Sequence, residues 1–160
     1  VRAFQFLYPL ASKNLVAKIE QAEIDISFLR YYRLAIERMT RRKDWAFCQL
    51  GRVVSADVCV MVADFFLRVT SINWSVVSGI ANKRLVVIFR NDGIRKSAGT
   101  VAERSFGAYG SAGGHKSMAR AEITPDLIEE ALDLNDDAQV QRWLIRRISA
   151  TSGYKRRPKT

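Results

Sequence analysis

The chain has 160 residues, 48% of them hydrophobic, with 26 Lys and Arg against 16 Asp and Glu and a single His, giving a formal net charge of +10 at pH 7. That length suits one domain, or one domain with part of a neighbour, and that apolar share is enough for a real core. A disulfide framework and a zinc module are excluded, because Cys48 and Cys59 stand alone in apolar runs with no His close in sequence. Both are expected as buried free thiols. The longest apolar stretch, Val58 to Leu67, is broken by Asp64 and is too short to span a bilayer. Nothing resembles a signal peptide, so a soluble, cytoplasmic protein with no membrane partner is expected. The chain opens on Val1 with an amphipathic segment already under way, which points to a piece of a longer protein. The charge points to a polyanionic partner, or else to cations spread over solvated faces and helix ends.

Val1 to Leu7 reads as the end of a helix, stopped by Pro9. Ser12 N-caps a second helix through Gln21. Ile24 to Arg42 reads as a longer helix, with Ile24, Phe28, Tyr31, Ala35 and Met39 on one face. Trp45 to Val54 is strand-like, interrupted at Gly51. Ser55 or Asp57 then caps a very apolar helix to Val69, in which Asp64 is expected to pair with Arg68 four residues on. Asn73 to Ala81 and Arg84 to Arg90 are two strands joined at Asn82-Lys83, a spacing that suits a tight hairpin. Leu85 to Phe89 is continuously apolar, as a strand covered on both faces would be.

Asn91-Asp92-Gly93 signals a turn, and Ile94 to Ser97 reads as a third short strand. Ala98 to Ala108 is helical, with Val101, Ala102 and Phe106 inward. Ser117 to Arg120 reads as a short helical turn, and Ala121 to Ile123 as a last strand. Thr124-Pro125 starts a helix over Asp126 to Leu132. Asp136-Asp137 opens a final helix through Ile148, with Arg146-Arg147 at its end as the macrodipole favours. The whole is an α/β fold: a small mixed sheet with flanking helices behind an N-terminal helical segment.

Between these elements lies Gly110-Ser111-Ala112-Gly113-Gly114-His115-Lys116-Ser117, with three of the nine glycines and the only His. Glycine tolerates positive φ and lets backbone N–H groups approach a ligand. His115 and Lys116 add side-chain donors, so the segment is a candidate phosphate cradle. The competing reading is a tight loop in which His115 makes a loop-fixing hydrogen bond.

From Val76 to Ile123 the chain resembles the DHH-associated domain at the C-terminus of DHH-family phosphoesterases, a group that includes oligoribonuclease/pAp phosphatases and RecJ-like exonucleases. The resemblance rests on order: the strand Leu85 to Arg90, a turn and a short strand ending Arg95-Lys96-Ser97, the helix Ala98 to Gly107, then Gly113-Gly114-His115-Lys116-Ser117-Met118-Ala119. Phe4 to Ala11 also resembles the closing helix of the catalytic DHH domain. On this resemblance residues 1–23 end a preceding DHH-like domain, 24–43 form a linker helix, 44–150 form the DHH-associated domain, and 151–160 are a disordered basic tail. The chain departs from the family in two places. Lys96 stands in an arginine register, a point charge instead of a bidentate fork. Arg120 stands where the family has a small residue.

The resemblance implies a metal-dependent hydrolase acting on short oligonucleotides or pAp-like nucleotides. Its manganese or magnesium would be held by the catalytic domain, with which this segment would be a partner across a cleft. No Asp-His-His triplet and no Asp-x-Asp occurs in the sequence, so no catalytic or metal-ligating residue is expected here. The expected substrate contacts are Gly113, Gly114, His115 and Lys116, with Arg90, Arg95 and Lys96 if the short strand pairs beside the glycine-rich loop; otherwise those three are ordinary surface charge. Tyr109 abuts the loop and is a candidate for base stacking, along with Tyr8, Tyr31 and Tyr32. The partner is then single-stranded nucleic acid or a nucleotide phosphate, and a homodimer is left open. Two other readings remain: a stand-alone basic nucleic-acid-binding module, and a regulatory nucleotide-sensing or dimerisation domain.

Overall fold

The computed structural model describes residues 24–152. The helices expected before Gln21, the Phe4 to Ala11 segment, Tyr8 and the basic tail beyond Ser152 lie outside the described residues. The chain divides after Arg30 into two compact units. In the first, the Asp25 carboxylate accepts from the Ser27 N–H at 2.8 Å and caps a 3-10 turn, Ile26–Phe28. Helix α1, Leu29–Arg38, begins there.

The second unit is built on a six-stranded mixed sheet in the order β1-β2-β3-β4-β6-β5. Its strands are β1 Thr40–Arg42, β2 Trp45–Arg52, β3 Trp74–Ala81, β4 Arg84–Asn91, β5 Gly110–Gly114 and β6 Met118–Ile123. The helices that accompany it are α2 Ala56–Leu67, α3 Ala98–Phe106 and α4 Asp137–Thr151. Strands β2 and β3 run parallel, joined by the α2 crossover, and the other pairs are antiparallel. One face carries Trp45, Phe47, Trp74, Val76, Leu85, Val87, Phe89, Ala121 and Ile123 against Ala98, Val101, Ala102 and Phe106 of α3 and Val140, Trp143, Leu144 and Ile148 of α4. The other face meets the apolar side of α2. Gly79 of β3 is there because a Cβ would come within 2.9 Å of Val53 and 3.0 Å of Cys59 Sγ. Among the described residues no helix is long and apolar enough to cross a membrane.

The hairpin at Asn82-Lys83 forms as its spacing predicts, with both residues at positive φ (48° and 60°) and full register from Trp74 opposite Asn91 to Ala81 opposite Arg84. Other elements differ from expectation. Helix α1 stops at Arg38, and Arg41 and Arg42 sit in the edge strand β1. Ile94 to Ser97 is not a strand. Asn91 and Asp92 fold it into side-chain turns, with Gly93 N–H donating to Asn91 Oδ1 at 2.8 Å and Ile94 N–H to Asp92 Oδ1 at 2.9 Å. Residues 118–120 belong to β6, not to a helical turn. The expected Asp126 to Leu132 helix shrinks to a 3-10 turn, Pro125–Leu127. Helix α4 runs on to Thr151, which leaves Arg146 and Arg147 before its last turn.

A polar cluster ties α1, β2, β3 and α4 together. Arg38 Nη1 donates to Asp137 Oδ2 at 2.7 Å, and Gln49 Nε2 donates to the other Asp137 oxygen at 3.3 Å. Gln49 N–H donates to Gln141 Oε1 at 2.8 Å, while Gln141 Nε2 returns to the Arg38 carbonyl and to Thr40. The buried Gln49 side-chain oxygen, Oε1, accepts from the Ser78 hydroxyl. Gly51, at φ +78°, lets Asp137 approach: a Cβ there would sit 2.9 Å from its carboxylate.

Cys48 and Cys59 are free and buried, as expected. Burial pushes both thiols up from the ordinary 9.0 to about 12. The native state therefore holds protons that the unfolded chain releases. This contribution to stability is complete below the ordinary value of 9.0 and is lost as the pH rises toward about 12. We expect neither thiol to react with an aromatic disulfide reagent in the folded protein at mildly alkaline pH, and both to react in denaturant. A thiol that reacts in the folded state at the rate of free cysteine contradicts this burial.

Candidate phosphate-binding site

The glycine-rich segment is not a loop. Gly110–Gly114 is the edge strand β5, paired with β6 from Gly110 opposite Ile123 to Gly114 opposite Ala119. The reason lies in how closely backbone meets backbone. A Cβ on Gly99, in the first turn of α3, would stand 2.5 Å from the Gly114 carbonyl oxygen. A Cβ on Gly114 would stand 2.5 Å from Ala119 Cα. Helix α3 thus crosses β5 at a distance that requires glycine at position 99, while Gly114 is required by the closeness of the β6 backbone. At Gly113 the situation is the opposite, for a Cβ there would meet nothing within 4 Å.

The turn that follows, His115 to Ser117, is held by its carbonyls. Asn91 N–H donates to Ser117 O at 3.0 Å, Ala98 N–H to Lys116 O at 2.9 Å and Gly99 N–H to His115 O at 2.9 Å. The first N–H groups of α3 are therefore committed to this turn and are not free for an anion. The Thr100 N–H takes the Ser97 side chain at 3.4 Å. His115 N–H donates to Met118 O at 2.7 Å. Alternate residues of a strand turn their N–H groups to the same side, so the Gly113 N–H is also directed into the β5–β6 ladder. What the turn leaves to solvent is side chains: His115, Lys116 and Ser117 are all exposed.

Around this tip the expected contacts separate. Arg95 is exposed in the neighbouring turn. Arg90 sits at the same end of β4, opposite Met118. Its side chain is 18% exposed, with Nε 2.9 Å from Asp64 Oδ1 of α2 but not aligned for a hydrogen bond. Asp64 thus pairs across to the sheet and not with Arg68, a partner that helical spacing alone cannot reveal. Lys96 points elsewhere: its ammonium donates to the Ser152 carbonyl at the end of α4, on the α3–α4 side of the sheet. Its own carbonyl accepts from Asn91 Nδ2 at 2.8 Å. Arg120 lies opposite Gly113 and pairs with Glu122 at 2.7 Å. Directly opposed residues project on one face, so Gly113 and the Arg120–Glu122 pair share an uncovered strip of sheet.

Tyr109 is not open for stacking. Its ring meets Trp143 edge-on at 5.5 Å, and Arg147 lies over it at 4.6 Å. Tyr31 is buried, and Tyr32 packs edge-on against Phe65 at 5.2 Å. Sequence reasoning passed over Arg104, exposed on α3 among Ser97, Thr100 and Thr151. The signal was its place among the outward positions of a short helix. Among the described residues no group of three or more His, Cys, Asp or Glu could hold a metal ion.

No family model matches the chain. An uncharacterized protein of Methanocaldococcus jannaschii is 24% identical over 132 residues, covering 82% of this chain and 27% of that protein. Among solved structures, an exopolyphosphatase-related protein from Bacteroides fragilis superposes with a TM-score of 0.61 at 13% identity, over 91% of this chain and 42% of the other. A pGpG-specific phosphodiesterase from Vibrio cholerae superposes with a TM-score of 0.48 at 16% identity, over 77% of this chain and 39% of the other. The likeness to the Bacteroides protein is one of fold, and the chain spans well under half of each of these proteins.

The Gly99–Gly114 crossing makes a sharp expectation. Gly99→Ala drives a methyl group into the Gly114 backbone, which has no side chain to move aside. We expect a loss of about 2–3 kcal/mol in urea unfolding, at the upper end of ordinary overpacking. Gly113→Ala, where the added methyl meets open space, should change stability by less than about 0.5 kcal/mol. Equal effects at the two positions would refute the crossing.

Proposed function

We propose that residues 31–152 are the substrate-binding module of a metal-dependent phosphoesterase acting on short oligonucleotides or pAp-like nucleotides, with the bond-breaking chemistry supplied by another part of a longer protein. The observation that carries this reading is the His115–Ser117 turn. Its three carbonyls are pinned by N–H groups of Asn91, Ala98 and Gly99, so the His115 and Lys116 side chains project from fixed backbone. Donors that need no reorganisation bind a phosphate at lower entropic cost. The order of turn, helix and Gly-Gly-His that resembles the DHH-associated domain supports the same reading, as does the fold shared with an exopolyphosphatase-related protein.

In this reading His115 and Lys116 hold the phosphate by charge-assisted contacts, and Arg95 adds charge beside them. Gly113 keeps the adjacent sheet surface free of side chain. Arg90 and Arg120, each already paired with a carboxylate, act as short-range orienting groups. The described residues do not fit the metal pair that the resemblance implies, because no cluster among them could hold even one ion. A metal pair would activate water and stabilise the leaving oxygen, and no residue described here is assigned a part in that chemistry.

Calorimetric titration with pAp and with a dinucleotide tests the reading. His115→Ala should weaken binding about 10- to 100-fold, the loss of a charge-assisted hydrogen bond worth about 1.5–3 kcal/mol. Gly113→Val should weaken it comparably, with unchanged circular dichroism, because its side chain enters open space where the ligand would lie. With added manganese the chain should not turn over pAp or short RNA. Wild-type affinity in both variants, or turnover abolished by a point change in this chain, would overturn the assignment.

A further inference from the structure

Helices α3 and α4 carry four cations, Arg104, Arg142, Arg146 and Arg147, against two acids, and one of those, Asp137, is neutralised by Arg38. None of the ion pairs formed among the described residues takes Arg104, Arg142 or Arg146. The helix macrodipole does not account for the arginines of α4, because its effect is confined to the last turn and that turn holds no basic residue. Arg142 and Arg146 are also four residues apart, a like-charge spacing that costs an isolated helix some stability.

Two cavities border these helices, one between α3 and the end of α4 and the other between α4 and Ala131. The first, about 240 Å³, is lined by Lys96, Ser97, Thr100, Arg104, Thr151 and Ser152. Ser152 is 6% exposed, and its buried hydroxyl has no hydrogen-bond partner. The second, about 370 Å³, is lined by Trp143, Arg146 and Arg147 with Ala131. Thr151 fastens the end of α4 to α3, its hydroxyl lying 2.6 Å from the Ser105 hydroxyl and donating within its own helix to the Arg147 carbonyl at 3.2 Å.

We propose that the Arg104 cavity, continued by the exposed Arg142 and Arg146 of α4, is a track for single-stranded nucleic acid, binding the phosphates of nucleotides beyond the one held at the His115 turn. The track rests on the nucleotide reading of that turn and extends it to chain length: the preferred ligand is an oligonucleotide and not a mononucleotide. Arginines spaced along a helix meet successive phosphates, and an unpartnered buried hydroxyl at the bottom of a basic cavity offers a further contact to a phosphate oxygen. A flexible single strand can follow such a track, whereas a stiff duplex cannot.

The test is fluorescence anisotropy with labelled RNA, comparing a dinucleotide, a single strand of about 12 nucleotides and a duplex of that length, within the range one binding domain covers. The variants are the triple Arg104→Gln, Arg142→Gln, Arg146→Gln; His115→Ala; and Lys155→Gln, Arg156→Gln, Arg157→Gln in the tail. The triple variant should bind the longer strand at least tenfold more weakly, and its salt slope should fall by roughly 2, at about 0.7 per lost contact. It should bind the dinucleotide as the wild type does. His115→Ala should lose the dinucleotide instead. If the wild type ignores the dinucleotide yet the triple variant still loses the long strand, the His115 reading fails and the track stands. The track is overturned if the triple variant keeps wild-type affinity and slope, if the tail variant accounts for the loss instead, or if the duplex binds as tightly as the single strand. Unchanged circular dichroism guards against a folding defect.

Discussion

Two glycine backbones in contact, Gly99 of α3 and Gly114 of β5, set the geometry on which the candidate site depends. A side chain on Gly99 would push the helix off β5, and one on Gly114 would strike the β6 backbone at Ala119. Ala98 and Gly99 could then no longer reach the Lys116 and His115 carbonyls. The turn would lose its fixed backbone, and β5, whose five residues are glycine, serine and alanine, has little side-chain surface to keep it paired. A strand so poor in β-formers is stable through its neighbours alone. The short side chains of β5 are what allow a helix N-terminus to lie against it.

The opposite end of the sheet is held differently. There Gln49, Asp137, Arg38 and Gln141 form a connected polar cluster in which each member has partners. A cluster of this kind is costly if half-satisfied and specific if complete. It sets where the N-terminal half of α4 meets β2, and so the direction in which the C-terminal half delivers Arg147 toward Tyr109 and Ser152 toward α3. The polar contacts at one end of α4 thus place the cations at the other.

Where local chemistry dominated, the sequence was readable. The Asn82-Lys83 hairpin, the apolar β4 and the α2 crossover follow from turn residues and patterning that tertiary structure had no reason to override. The misreadings have two causes, contacts distant in sequence and local side-chain capture of backbone N–H groups. Gly110 to Gly114 looks like a loop because glycine carries no strand signal, and only a helix docked from elsewhere in the chain explains it. Ile94 to Ser97 looks like a strand because Ile94 is β-branched, yet the carboxamide of Asn91 and the carboxylate of Asp92 capture the local N–H groups first. The partner of Asp64 was equally hidden. Helical spacing offers Arg68, and the sheet offers Arg90 from a strand distant in sequence. Of the site residues, the tip of His115 and Lys116 was visible as chemistry, while the division of Arg90 and Lys96 between two faces depends on where α2 and α4 pack.

That division matters for how a polyanion would approach. Around β4 and β6 the arginines are matched by carboxylates, Arg90 by Asp64 and Arg120 by Glu122, so at a distance their fields largely cancel. On the α3–α4 side Arg104, Arg142 and Arg146 have no such partners, and their fields add. At physiological salt the range of either is about 8 Å, too short to draw a ligand from far off but enough to bias where it first touches. On the proposed reading first contact would favour α3 and α4, and the paired arginines would act only once a phosphate is close enough to compete with their carboxylates. On the same reading, a strand that landed on the helices would meet uncompensated charge first and the carboxylate-paired arginines after it. That is the order expected of a surface that collects a chain before it positions one phosphate of it.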